Sequence, residues 1–207
     1  LKTSKLFKID DVHHLDWEKK KGCEKLLTGI ISESPHLANL LIKLYKHSKK
    51  LFVHSITVGM IAVIIDLGIQ EKNKIHDGLR SEELLTAALL HDIGFLKLPL
   101  AMAEKRRIEY NEEELKLYKK YPEEGRSIVH GLGDNFRQKT LEIIHQHREK
   151  LTGDGFPQKL NGSKIMEESL IVGVADEFDL IVTNEISSSE RPPSEILSRI
   201  SRMGKIY

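Results

Sequence analysis

The stretch from Leu84 to Pro99, LLTAALLHDIGFLKLP, most constrains this chain. An apolar run with helical character ends in adjacent His91 and Asp92 and breaks at Gly94. A helix of this kind buries its body and delivers an imidazole and a carboxylate at its last turn, a suitable way to hold a cation. A His-Asp pair is weak evidence by itself in a chain with 10 histidines, so the remaining sequence must supply the context.

That context is helical. Leu37, Leu40, Leu41 and Leu44 recur at spacings of three and four and predict a helix from Pro35. A second helix is expected from Lys49 to Leu67, with His54 near its start and Gly68 as its stop. Its apolar part, Leu51 to Leu67, is shorter than the roughly 20 residues of a membrane-spanning helix and reads as a buried core element. Ser81, followed by Glu82 and Glu83, marks the expected start of the helix that reaches His91. Asn111 with Glu114 forms a capping-box signature for a helix to Lys120, and Pro122 suits the first turn of one to Leu132. Another is expected from Asn135 to Arg148. Gly153, Gly155, Pro157 and Gly162 make 151–163 a loop. A long apolar helix over 168–184, a polar linker over 187–193 and an amphipathic helix over 194–203 follow. Strand alternation is absent, so the fold class is all-α, a bundle of about seven helices.

The first 30 residues lack a sustained period, and Gly22 and Gly29 are expected to interrupt any helix there. The chain therefore divides into a leader or remnant of an upstream region, 1–33, and one domain, 34–207, whose C-terminal helix is expected to be truncated. The 32 basic residues balance 31 acidic ones, leaving no global field for nucleic acid or membrane. The runs Lys19-Lys20-Lys21 and Lys105-Arg106-Arg107 read as solvated surface. Without a basic face with interleaved aromatics, nucleic-acid binding is not expected. Membrane insertion is not expected either, and the expected location is cytoplasmic. The single cysteine, Cys23, excludes an internal disulfide and any multi-cysteine zinc site.

Three further residues bear on the His91-Asp92 pair. His54 lies on an apolar helix, and Asp176 interrupts the run Leu170 to Ala175, where a carboxylate is costly unless paired or metal-bound. His147 precedes the glycine loop. Each has an ordinary reading: a core imidazole, a salt-bridge partner, a surface histidine. Together they suggest a nitrogen and oxygen donor set on three or four helices, suited to iron, manganese or zinc. Four protein ligands leave positions for a water and a phosphate oxygen, the hydrolytic use of such a site.

The order of blocks also resembles the HD-GYP family of HD-superfamily phosphohydrolases. The matching segments are His54, then His91-Asp92-Ile93-Gly94, then Tyr121-Pro122-Glu123-Glu124-Gly125, then His147-Arg148-Glu149 before Gly153-Asp154-Gly155-Phe156-Pro157, then Val174-Ala175-Asp176. The resemblance implies an all-α HD-type domain that hydrolyses cyclic di-GMP at a site of two or three metals, commonly iron or manganese. It implies that His54, His91, Asp92 and Asp176 hold the general metal site, that Asp92 bridges and is central to catalysis, and that His147 serves a second metal.

The chain departs from that pattern where metals and phosphate are contacted. Arg148 stands for the second histidine of a His-His-Glu block, Tyr121 for a histidine, Phe95 for a phosphate-contacting lysine, Lys50 for a carboxylate and Phe156 for the signature tyrosine. Arginine offers donors only and cannot bind a metal, which depletes the second site. One metal per chain, iron or manganese, is therefore expected, with Arg148 and Lys97 as candidate substrate contacts. Two readings stand. One is a metal-dependent phosphodiesterase acting on a cyclic dinucleotide or another phosphoester. The other is a catalytically impaired module that binds a nucleotide or a protein partner in signalling.

Overall fold

The computed structural model describes residues 17–183, 185 and 186; the linker and helix expected over 187–203 lie outside them. The described chain is helical from its start and contains no strand. Helix α1, Trp17–Glu33, corrects the reading of a leader without helix. Gly22 and Gly29 are on its open side, with nothing within 4 Å of a modest side chain, while Cys23 and Leu27 are buried against the helices that follow. Helix α1 packs on α2 (Pro35–His47), α3 (Lys49–Asn73) and α4 (Gly78–Leu90).

Capping sets these boundaries. The Ser34 hydroxyl accepts from Leu37 N at 3.2 Å and Pro35 occupies the first turn of α2. Ser48 joins two helices: its amide donates to Leu44 O at 2.8 Å, and its hydroxyl accepts from Leu51 N at 3.2 Å to open α3. Helix α3 does not stop at Gly68. It runs to Asn73 and ends at Lys74 in the left-handed conformation, φ 55°. At 25 residues it is long and apolar enough to cross a membrane, but half of its most apolar window is buried inside this fold. Helix α4 begins earlier than expected because Asp77, not Ser81, is its cap. The Ser81 hydroxyl instead donates to buried Asp66 at 2.8 Å, which also accepts from Gln70 and from Arg80 Nε.

A short α5 (Leu100–Glu104) was not expected. Helix α6 (Glu112–Tyr118) carries the expected capping box, with Glu114 N donating to Asn111 at 2.9 Å. Helices α7 (Tyr121–His130), α8 (Gln138–Gln146) and α9 (Glu167–Val182) complete the described elements.

Helix α3 is the central element, packed on α2, α4 and α9. Leu37, Leu44, Val58, Leu84, Leu89, Leu90 and Val172 are fully enclosed around it, each such side chain contributing about 1.5–3 kcal/mol. On the other flank, α7 packs on α8 and on the 3-10 turn Ile93–Lys97. The turn can approach only because of Gly94. A Cβ there would lie 1.9 Å from Tyr121 O and 2.8 Å from Gly125 N, so the glycines of the HDIG and YPEEG segments bring two backbones together.

Candidate metal centre

The start of α3, the ends of α4 and α8 and the middle of α9 direct polar side chains into this apolar body. His91 and Asp92 close α4 and are fully buried, as is Asp176 in the middle of α9; His54, one turn into α3, is nearly so. The His54 Nε2 lies 3.1 Å from Asp176 Oδ1, 3.3 Å from His91 Nε2 and 3.6 Å from Asp92 Oδ2. His91 Nε2 is 3.4 Å from Asp92 Oδ1. One donor atom from each of His54, His91 and Asp176 falls within 4.8 Å of the other two.

Both imidazoles are oriented by their other nitrogen. His91 Nδ1 donates to Ala88 O at 2.7 Å, and His54 Nδ1 to Asp179 Oδ2 at 2.5 Å. Each Nε2 is thereby turned into the cluster, the arrangement by which metal-binding histidines are fixed. Asp179 was not singled out in the sequence. The signal was its position three residues after Asp176, on the same helix face. Burial opposes charge on the His54 ring, but the Asp176 and Asp179 carboxylates outweigh it and push its pKa up to about 9. Burial holds His91 below its ordinary value.

The donor set fits a divalent cation. Asp92 Oδ1 is buried and accepts no hydrogen bond, an expensive state for a carboxylate oxygen that a metal would relieve, while Asp176 Oδ2 meets only a guanidinium group. Burial alone would raise both carboxyls, yet both are held below the usual carboxylate range, Asp92 by His91 and Arg107 and Asp176 chiefly by Arg148.

Two guanidinium groups supply that compensation. Arg148 Nη2 lies 2.5 Å from Asp176 Oδ2, so its side chain points into the centre. Arg107 Nη2 donates to Asp92 Oδ2 at 2.8 Å, and Arg107 Nη1 lies 3.6 Å from Asp176 Oδ1. The reading of Lys105-Arg106-Arg107 as solvated surface is thus corrected for Arg107, whose side chain is only 8% exposed. Nothing in a basic run distinguishes the one member that turns inward.

His147 is buried beside His91, with ring centres 5.2 Å apart, but both of its ring nitrogens are engaged. Nδ1 donates to Ile144 O at 2.7 Å and Nε2 lies 2.6 Å from the Tyr121 hydroxyl, which itself accepts from Arg148 Nε at 2.7 Å. Burial, reinforced by His91 and Arg148, pushes His147 down to about 3, so the ring is a neutral acceptor. Lys97 is exposed at the end of the 3-10 turn, apart from the side chains that meet here. Phe95 is enclosed, its ring tilted against that of Tyr121 with centres 4.8 Å apart and lying beneath Arg107. Lys50 pairs with Glu185 at 2.9 Å. Glu149 is structural in its contacts: its carboxylate accepts from Gln158 N at 2.6 Å and Leu160 N at 2.9 Å, pinning the glycine loop.

An all-α bundle with a buried His-His-Asp-Asp cluster at its centre defines the class of HD-type domains. The HD domain family model matches residues 54–207, and the chain belongs to that family. It is 30% identical over 135 residues, 64% of this chain and 33% of the relative, to the cyclic di-GMP phosphodiesterase PdeB of Borreliella burgdorferi. It is 32% identical over 133 residues, 63% of this chain and 33% of the relative, to the cyclic di-GMP phosphodiesterase response regulator RpfG of Xanthomonas campestris. The chain spans about a third of the length of these curated relatives. Among solved structures it is similar to Bd1817, an HD-GYP-type protein of Bdellovibrio bacteriovorus, at TM-score 0.58 and 28% identity, covering 73% of this chain and 47% of that one. The HD domain of L. monocytogenes PgpH, solved with cyclic-di-AMP, shares the fold at TM-score 0.58 and 18% identity, covering 80% of this chain and 82% of that one. The HD-GYP resemblance and the all-α HD-type fold both stand.

Proposed function

We propose that this chain is the phosphohydrolase domain of a metal-dependent phosphodiesterase for a cyclic dinucleotide, with one iron or manganese ion held by His54, His91, Asp92 and Asp176. The observation that carries the reading is the convergence of two oriented Nε2 atoms with the buried carboxylates of Asp92 and Asp176, of which Asp92 Oδ1 accepts no hydrogen bond. The relatives' activity on cyclic dinucleotides supports the substrate class. A bound divalent ion supplies Lewis acidity and lowers the pKa of its water.

The chain's own residues do the rest. Asp179 holds His54 in the tautomer that presents Nε2, and the Ala88 carbonyl does the same for His91. Asp92 gives the centre a carboxylate between the two imidazoles. Arg148 places a fixed positive charge where the family's second metal is expected, available to a phosphate oxygen. His147, tied to Tyr121, is left out of the first ligand set.

A second reading, a module that binds without turnover, is favoured by Phe95. An apolar ring there removes a cation that would stabilise charge developing on phosphate. Metal content per chain on anaerobically purified protein separates the readings. Near one equivalent, lost in Asp92→Ala, is expected; full occupancy in Asp92→Ala would sink the assignment of Asp92. Two equivalents would mean His147 is a ligand after all, and none after resupply would favour the binding module.

A further inference from the structure

Two cavities flank the centre, of about 400 Å³ and about 290 Å³, and Arg107 and Leu180 stand in the walls of both. The smaller is distinctive. Arg107, Arg148 and Lys150 line it against one carboxylate, Glu177, with the half-buried rings of Tyr118 and Phe156 alongside. The guanidinium carbons of Arg107 and Arg148 lie 5.4 Å and 5.7 Å from the centre of the Tyr118 ring, so both cations are gathered at one end of the cavity. Arg148 is 6% exposed, and its Nη2 makes no satisfactory hydrogen bond despite its approach to Asp176. Lys150 has no ion pair among the described residues. Such a wall asks for a ligand with more than one negative charge and with a planar group for the rings.

We propose that Arg107, Arg148 and Lys150 form a subsite for the terminal phosphate of a nucleotide, a phosphomonoester dianion, with the base or sugar directed toward Tyr118 and Phe156. The choice of monoester over diester follows from charge. A phosphodiester carries one negative charge, whereas a monoester, with a second pKa near 6, carries close to two at neutral pH. Two guanidinium forks and an ammonium match the second. In the structure the forks rest on Asp92 and Asp176, at 2.8 Å and 2.5 Å. A cation bound by those carboxylates would take over their charge and leave the guanidinium groups to the anion. Metal and terminal phosphate therefore strengthen each other's binding, by the same factor in both directions. The subsite takes its ligand class from the phosphohydrolase reading and shares Arg148 with it, but Arg107, Lys150 and the two rings belong to the subsite alone.

Calorimetric titration with guanosine 5′-monophosphate and with guanosine 3′,5′-cyclic monophosphate compares the two charge states on one base. On protein supplied with Mn²⁺ the monoester is expected to bind at least tenfold tighter than the cyclic diester, and more weakly when Mn²⁺ is withheld. Lys150→Met, at a half-exposed position that leaves the fold intact, should weaken the monoester several-fold and the diester little. Arg148→Met should remove the preference. Equal affinity for both nucleotides, or a preference that survives both substitutions, overturns the subsite. Metal content of the same samples keeps the two ideas apart. A preference without bound metal upholds the subsite and removes the phosphohydrolase reading, and bound metal without a preference does the reverse.

Discussion

The Tyr121 hydroxyl lies 2.6 Å from His147 Nε2 and accepts from Arg148 Nε at 2.7 Å, so one phenol joins the two residues of the block that should serve a second metal. The proton geometry is self-consistent. His147 Nδ1 carries its hydrogen to Ile144 O, which leaves Nε2 an acceptor, and burial keeps the phenol well above its ordinary pKa and therefore protonated. Replacing this triad should reopen the position. The double variant Tyr121→His, Arg148→His is expected to raise metal content from about one to about two equivalents per chain by elemental analysis. An unchanged count would mean that the backbone around α7 and α8 no longer suits a second ion.

Gly94 is expected to tolerate no side chain. A Cβ 1.9 Å from Tyr121 O meets backbone, which cannot rotate away, so Gly94→Ala should cost about 3 kcal/mol or more, the upper end of overpacking effects. Gly22→Ala is the control: its site is open, and exchanging a mid-helix glycine for alanine should add about 0.5–1 kcal/mol. Urea unfolding of the two variants checks both signs.

Glu149 holds the glycine loop by two backbone amides. Hydrogen bonds to a buried carboxylate are each worth about 1.5–3 kcal/mol, so Glu149→Ala should destabilise by about 2 kcal/mol or more. Hydrogen exchange locates the effect: the amides of Gln158 and Leu160 should lose at least tenfold in protection, while those of α3 keep theirs relative to global stability.

Acid should weaken the junction of α4, α8 and α9. Burial would raise the Glu168 carboxyl, but Lys139 at 2.9 Å and Arg80 at 3.3 Å hold it below its ordinary value. A carboxyl depressed in the folded state contributes stability that is complete above its unfolded pKa, about 4.3, and is lost as pH falls through the lower folded value. Glu168→Gln should therefore lower Tm at pH 7 and bring the two proteins closer together toward pH 3. Thermal unfolding across that range reads it directly. A constant gap would mean that packing, not charge, accounts for Glu168.

Most of the helices could be read from the chain because their signals are local. The Leu37–Leu44 spacing, the Asn111–Glu114 box and the punctuation of 151–163 act within a few residues, and the structure keeps all three. Errors fell where distant contacts override local preference. Gly22 and Gly29 sit inside α1 because Cys23 and Leu27 have a core to enter, and Ser81 yields the cap to Asp77 because Asp66, on another helix, claims its hydroxyl.

The same division holds at the site. The sequence by itself determined the candidate donors, since His91-Asp92 at a helix end and Asp176 inside an apolar run are costly to bury without a cation or counter-charge. Only the tertiary structure decided what compensates them. Arg107 arrives from a basic run with nothing to mark it, Arg148 turns inward rather than to solvent, and Tyr121 takes the nitrogen of His147. The physical reason is that a side chain's charge is fixed by its identity, but the charge it meets depends on which elements the packing of the core brings within a few ångströms.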